Sequence, residues 1–141
     1  MHAREESPTM PPDAFGPLQL QDAELTIRIF HDGAQANLNA ACRRGSIDVI
    51  RAPGRLIATG DIHDNAMHLK RVVAAAGLGD RPDPDHLTLH EVIHPPIQPG
   101  GVDFSYRALA RVAMLKREFP EQVHVLLGNH ELAQVCGGVI V

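Results

Sequence analysis

Residues 55–65 read Arg-Leu-Ile-Ala-Thr-Gly-Asp-Ile-His-Asp-Asn, an apolar run that stops at Gly60 and passes directly into polar side chains. A run this short, preceded by the Pro53-Gly54 turn, fits a buried strand. Beyond it, Leu69, Val72, Val73 and Ala76 fall at i, i+3, i+4 and i+7. That spacing predicts a helix capped by Asp64 or Asn65 and closed by Gly77. The rhythm then repeats. A turn at Arg81–Asp85 precedes a second short strand, His86–Leu89. Ala108, Val112, Leu115 and Phe119 form a second helical stripe, with Asp103 as its cap and Pro120 just past its end. Gln122–Leu127 is a third strand, halted by Gly128. Strand, helix, strand, helix, strand makes two consecutive βαβ units, and so an α/β fold with a parallel sheet and right-handed crossovers.

Upstream, residues 1–22 carry Pro8, Pro11, Pro12, Gly16 and Pro17 among polar residues and predict a flexible arm ahead of one domain spanning 23–141. Leu25, Ile29, Leu38 and Ala41 follow a loose helical spacing that Gly45 ends, and Ser46–Ile50 alternates as a short strand. The loop from His94 to Gly101, rich in Pro and Gly, is long enough for a lid.

Composition narrows the classes. The chain has 141 residues, 44% hydrophobic and 21% charged, which suits one small domain. Its apolar runs fall far short of the roughly 20 residues that span a bilayer, and its N-terminus lacks the charged-then-apolar order of a signal peptide. A cytoplasmic protein is expected. A formal charge of −4 carries no nucleic-acid footprint, and Arg43-Arg44 reads as a solvated pair. Cys42 and Cys136 lack CxxC spacing and read as small buried apolar residues.

All three strands empty into polar clusters: Gly60-Asp-Ile-His-Asp-Asn65, His90-Glu-Val-Ile-His94 and Gly128-Asn-His-Glu131. Parallel strands bring Asp61, Glu91 and Asn129 to one sheet edge, where α/β proteins bind ligands. Carboxylate, imidazole and amide oxygen together suit divalent ions such as Mn, Fe or Zn. Gly60 and Gly128 are expected to turn the backbone off the strand, and Asp61-x-His63 to present two like-oriented side chains in one extended step. Taken singly, Asp61 and His63 also fit a cap or surface role, and Asn129 a cap for a helix starting at His130.

Together these residues resemble the calcineurin-like metallophosphoesterase superfamily, whose pattern is GDxH, then GDxxDR, then GNHE at strand ends. GDIH at 60–63 and GNHE at 128–131 stand in family order, and the resemblance covers roughly residues 55–135. It implies the parallel βαβαβ half of a two-sheet sandwich, and a binuclear centre of two divalent metal ions that hydrolyses phosphate mono- or diesters. By that resemblance Asp61 and His63 bind the first metal, Glu91 bridges both, and Asn129 binds the second. His130 protonates the leaving group, while His94, Asp64 and Glu131 stand behind these residues.

The middle motif departs from the pattern, reading His90-Glu-Val-Ile-His-Pro95. Glu91 keeps the bridging charge with one more methylene, His94 replaces the Asp that orients the acid histidine, and Pro95 replaces a phosphate-clamping Arg. The family's remaining metal-binding histidines follow GNHE. A chain of this length covers roughly half of such a fold, so a domain truncated at its C-terminus is expected, able to self-associate through an incomplete sheet. Gly137–Val141 would then be an unpaired strand.

Two rivals stand beside this reading. His90–His94 fits the zinc metalloprotease motif HExxH, which needs a helix, although Pro95 disfavours helix at His94. A non-catalytic half-domain that binds a metal or a partner is the other. His2, His31, His68, His86 and His124 have no partner visible in the sequence.

Overall fold

A computed structural model describes residues 15–79, 85–94 and 101–138. The elements run α1 (Ala23–Asn39), β1 (Arg43–Arg44), β2 (Ile47–Asp48), β3 (Arg55–Asp61), α2 (Ala66–Ala76), β4 (Asp85–His90), α3 (Tyr106–Glu118), β5 (Val123–Leu126) and α4 (Asn129–Cys136). The fold is α/β. Strands β3, β4 and β5 form a parallel sheet in that order, and β1 and β2 pair antiparallel.

Because sheet order follows chain order, right-handed crossovers put α2 and α3 on one face of the sheet. The core lies between them. Leu69, Val73 and Ala76 from α2, Ala108, Val112 and Leu115 from α3, and Leu87, Leu89 and Val123 from the strands are all buried there. Asn65 caps α2 by accepting from the His68 backbone N–H at 2.9 Å, and Gly77 ends it at φ 56°, a left-handed conformation that glycine adopts without strain. The outer helix α1 packs on α3. A Cβ placed at Gly33 would lie 2.7 Å from the Ala113 Cβ, so only glycine lets the two helices approach this closely.

Between Ala58 and Asp61 the β3–β4 register shifts, bringing Asp61 opposite His90. The Thr59 hydroxyl spans the irregularity, donating to the Thr88 carbonyl at 2.9 Å and accepting from the His90 N–H at 3.4 Å. Such a bulge bends a strand and re-aims the side chain that follows.

Several local expectations are corrected. Helix α1 ends at Asn39 rather than near Gly45, whose φ of 65° instead turns the β1–β2 hairpin. That hairpin replaces the single strand expected at 46–50. Of the arm expected at 1–22, residues 1–14 lie outside the described residues, whereas within 15–22 Phe15 packs against the core, Arg111 donates to the Gly16 carbonyl, and the Asp22 side chain caps α1. Asp103 does not cap α3 directly. Its carboxylate accepts from the Ser105 N–H and hydroxyl, and Ser105 occupies the cap position. Cys136 is exposed and Cys42 half-buried, so neither is the buried apolar residue expected. Arg43 is not merely solvated, since it pairs with Asp48 at 3.1 Å. The turn expected at 81–85 lies mostly, and the lid loop beyond His94 and the chain end beyond Gly138 partly or wholly, outside the described residues. No helix among the described residues is long and apolar enough to cross a membrane.

Candidate metal centre

Three segments meet at the carboxyl edge of the sheet, and backbone hydrogen bonds fasten them together. After β3, the N–H groups of Ile62 and His63 donate to the Glu91 carbonyl at 3.0 and 2.9 Å, and that of Asp64 to the Val92 carbonyl at 2.8 Å. From α4, the Glu131 carboxylate reaches across both neighbours. It accepts from the Ile93 N–H and from the Gly128 N–H, each at 2.9 Å. Glu131 is therefore a buried clamp rather than a donor aimed at an ion.

The turn chemistry differs from the expectation. Gly60 lies inside β3 and nothing crowds its missing side chain. The left-handed conformations fall instead on His63, Asp64 and Glu91, at φ 48°, 53° and 45°. Non-glycine residues hold such conformations at a cost of order 1–3 kcal/mol each, and they concentrate at functional sites. His63 thus reaches Asp61 by folding back, with Nε2 3.6 Å from Oδ2, not through an extended step. Gly128 is required for another reason: a Cβ there would sit 2.5 Å from the Cβ and Cγ of Glu91. Missing bulk, rather than torsional freedom, lets the third loop close on the second.

At the centre stands Glu91, its side chain 5% exposed. Oε1 lies 3.7 Å from His63 Nε2 and 3.6 Å from His130 Nε2, both beyond hydrogen-bond range. With its nitrogen facing the carboxylate, the Asn129 amide donates to Oε1 at 2.6 Å and Oε2 at 3.1 Å. With its oxygen there instead, oxygen meets oxygen, which needs a proton or a metal cation between. Asp61, His63 and Glu91 place ligand atoms within 4.8 Å of one another, as do His63, His94 and His130. The donor set thus fits a divalent cation by chemistry and by spacing. Asp64 does not join it: local desolvation, then the like charge of Asp103, raise its carboxyl pKa against the pull of Arg107.

His90 ends β4 and residues 91–94 form no helix, so the helical HExxH arrangement of a zinc protease is absent. Its ring instead makes a 2.7 Å hydrogen bond between Nδ1 and Asp61 Oδ1. The sequence reading missed this contact, although the register pairing Asp61 with His90 produces it directly.

A second polar cluster was also missed. Near the amino ends of β4 and β5, His86 Nδ1 lies 3.1 Å from His124 Nε2, and His124 Nδ1 lies 2.8 Å from Asp48 Oδ2. Arg43 pairs with the other Asp48 oxygen, and the buried Lys116 ammonium stands 3.9 Å from Oδ2 while donating to the carbonyls of Pro120 and Val123. Cys42 adjoins this cluster, which also brings three ligand types within 4.8 Å. Cationic and imidazole groups already surround Asp48, so the cluster reads as a lock between the hairpin and the sheet. Burial pushes the Asp48 carboxyl up, but the His124 hydrogen bond, Lys116 and Arg43 outweigh it and hold the pKa below 3.8. Burial, then His124, hold the His86 imidazole below 6.5.

Both shifts are depressions, so both contribute stability above the unfolded pKa that is lost as pH falls through the folded one. Unfolding free energy should decline in two windows, first below 6.5 through His86 and then below 3.8 through Asp48. Urea titrations across pH test this. His86→Leu should flatten the upper window and Asp48→Asn the lower one, and identical pH profiles for both variants and the parent would remove the assignment.

No protein-family model and no curated protein matches this chain.

Proposed function

We propose that this chain is a metal-dependent phosphoesterase, the parallel half of a metallophosphoesterase-like sandwich, acting on phosphate mono- or diesters. The observation that carries the proposal is the buried Glu91 carboxylate, met by His63, Asn129 and His130 from two other loops. In this reading Asp61, His63 and Glu91 hold one divalent ion, and Glu91 with Asn129 hold a second; Mn, Fe and Zn all suit the donors. Such ions, when bound, polarise phosphoryl oxygens and make hydroxide available near neutral pH.

The side chains have separable tasks. The His90 hydrogen bond fixes the orientation of Asp61, as outer partners of ligating groups commonly do. His130, partly shielded and beside Glu91, gives its proton to the leaving oxygen as the P–O bond breaks. Position 95 is proline, which carries no cationic side chain to clamp the phosphate.

A partner-binding half-domain is the second reading, favoured by Leu56 and Leu126, which alternate with core-facing strand residues and are about half exposed. On that face a second copy or a second sheet could pack. The two readings separate in one assay. Mn²⁺-dependent hydrolysis of a chromogenic phosphomonoester and diester by the full chain is expected, with loss of most activity in His130→Ala. Equal rates in parent and variant would sink the role of His130, and no hydrolysis of either ester would favour the binding module.

A further inference from the structure

His94 has no task in that mechanism, because an imidazole cannot replace the carboxylate that the family pattern places there. Its position gives it another. Its ring centroid lies 4.5 Å from that of His63 and 4.4 Å from that of His130, with planes tilted by 53° and 49°. The rings of His63 and His130 are 5.9 Å apart and nearly perpendicular. These tilts bring one nitrogen of each ring to within 4.8 Å of the others.

Among the described residues, none of the three rings makes a hydrogen bond. The nearest carboxylate oxygens, from Asp61 and Glu91, stand 3.6–3.7 Å from His63 and His130. A neutral imidazole always has one lone-pair nitrogen. Three of them gathered without donors, at the edge of a buried carboxylate, form an electron-rich pocket shaped for a cation.

We propose that His94 is a metal ligand, and that His63, His94 and His130 form a tri-imidazole seat for Zn²⁺. Three imidazoles suit zinc, whereas Mn²⁺ favours oxygen donors, and three protein ligands leave zinc a fourth position open. His63 belongs to this seat and to the carboxylate seat with Asp61 and Glu91, so the two compete. Zinc in the tri-imidazole seat also engages His130 and withdraws it as a proton donor. Zinc therefore inhibits where manganese activates; this last consequence rests on the phosphoesterase reading, while the seat itself does not.

The test uses the full chain with Zn²⁺, Co²⁺ and Mn²⁺ as probes. Calorimetry gives Zn²⁺ affinity, the visible bands of Co²⁺ report tetrahedral nitrogen coordination, and electron paramagnetic resonance counts Mn²⁺. His94→Ala should weaken Zn²⁺ binding by about tenfold or more, since even outer-sphere partners of ligands are worth 10–100-fold. It should also dim the Co²⁺ bands and leave Mn²⁺ uptake intact. His94→Gln, closer in size and polarity, should behave alike, and melting curves confirm that both fold. Zinc affinity unchanged in either folded variant, or equal loss of Zn²⁺ and Mn²⁺, overturns the seat. A His94-dependent zinc affinity in a chain that hydrolyses no phosphoester supports the seat and sinks the phosphoesterase reading alone.

Discussion

Glu91→Gln should leave the chain folded yet abolish its uptake of Mn²⁺, and cut Mn²⁺-dependent phosphoester hydrolysis by about 100-fold or more. The substitution is nearly isosteric, so the close fit beside Gly128, where a Cβ would meet the Glu91 side chain at 2.5 Å, is preserved. What disappears is the one buried negative charge that faces His63, Asn129 and His130 together. An amide offers a single weaker oxygen, and its NH₂ points a donor at groups that must face a cation. Asp61→Asn should have a smaller effect, because the Asp61 side chain is about half exposed and water can replace part of its coordination. Mn²⁺ titration followed by electron paramagnetic resonance, beside a thermal melt, checks both. Equal ion stoichiometry in Glu91→Gln and the parent would remove Glu91 as the shared ligand.

The sheet was legible because its signals are local. The apolar run at 55–59 marked β3, although the strand continues through Gly60 to Asp61; the spacing of Leu69, Val73 and Ala76 marked α2, and the repetition of the two signals implied parallel order. Parallel order then placed Asp61, Glu91 and Asn129 at one edge, since strand ends converge whatever their separation in sequence. The parts that escaped depend on register and on close approach. The Asp61–His90 bond exists because a bulge shifts β3 by one position against β4, and nothing in either strand alone announces it. The lock of Asp48, His86 and His124 joins a two-residue strand to the far ends of two others, and single-residue reading left both histidines without partners. Glycine was overread for the same reason. It signals freedom of φ, but Gly60 uses none, and Gly128 is needed for its lack of a side chain beside Glu91.

Glu131→Ala is the substitution expected to cost the most stability, because one carboxylate there satisfies two backbone donors on two different loops. Oε1 accepts from Ile93 and Oε2 from Gly128, each at 2.9 Å, with the residue 8% exposed. Truncation leaves both N–H groups buried and without an acceptor. An unsatisfied buried donor costs about 1–3 kcal/mol. Some water will enter the space vacated, so a loss of roughly 2–4 kcal/mol is expected, a large share of the 5–15 kcal/mol typical of a domain. Glu131→Gln should fall between parent and alanine variant, since it keeps one acceptor oxygen but turns an NH₂ toward the second donor. Urea unfolding should therefore rank the midpoints parent, glutamine, alanine. The same clamp ties Ile93, which precedes His94, to Gly128, two residues before His130, whose ring lies 4.4 Å from that of His94. Metal affinity should fall in the same order as stability, although Glu131 touches no ion. An alanine variant with parental midpoint and parental affinity would mean that the loops are held by the Ile62, His63 and Asp64 hydrogen bonds alone.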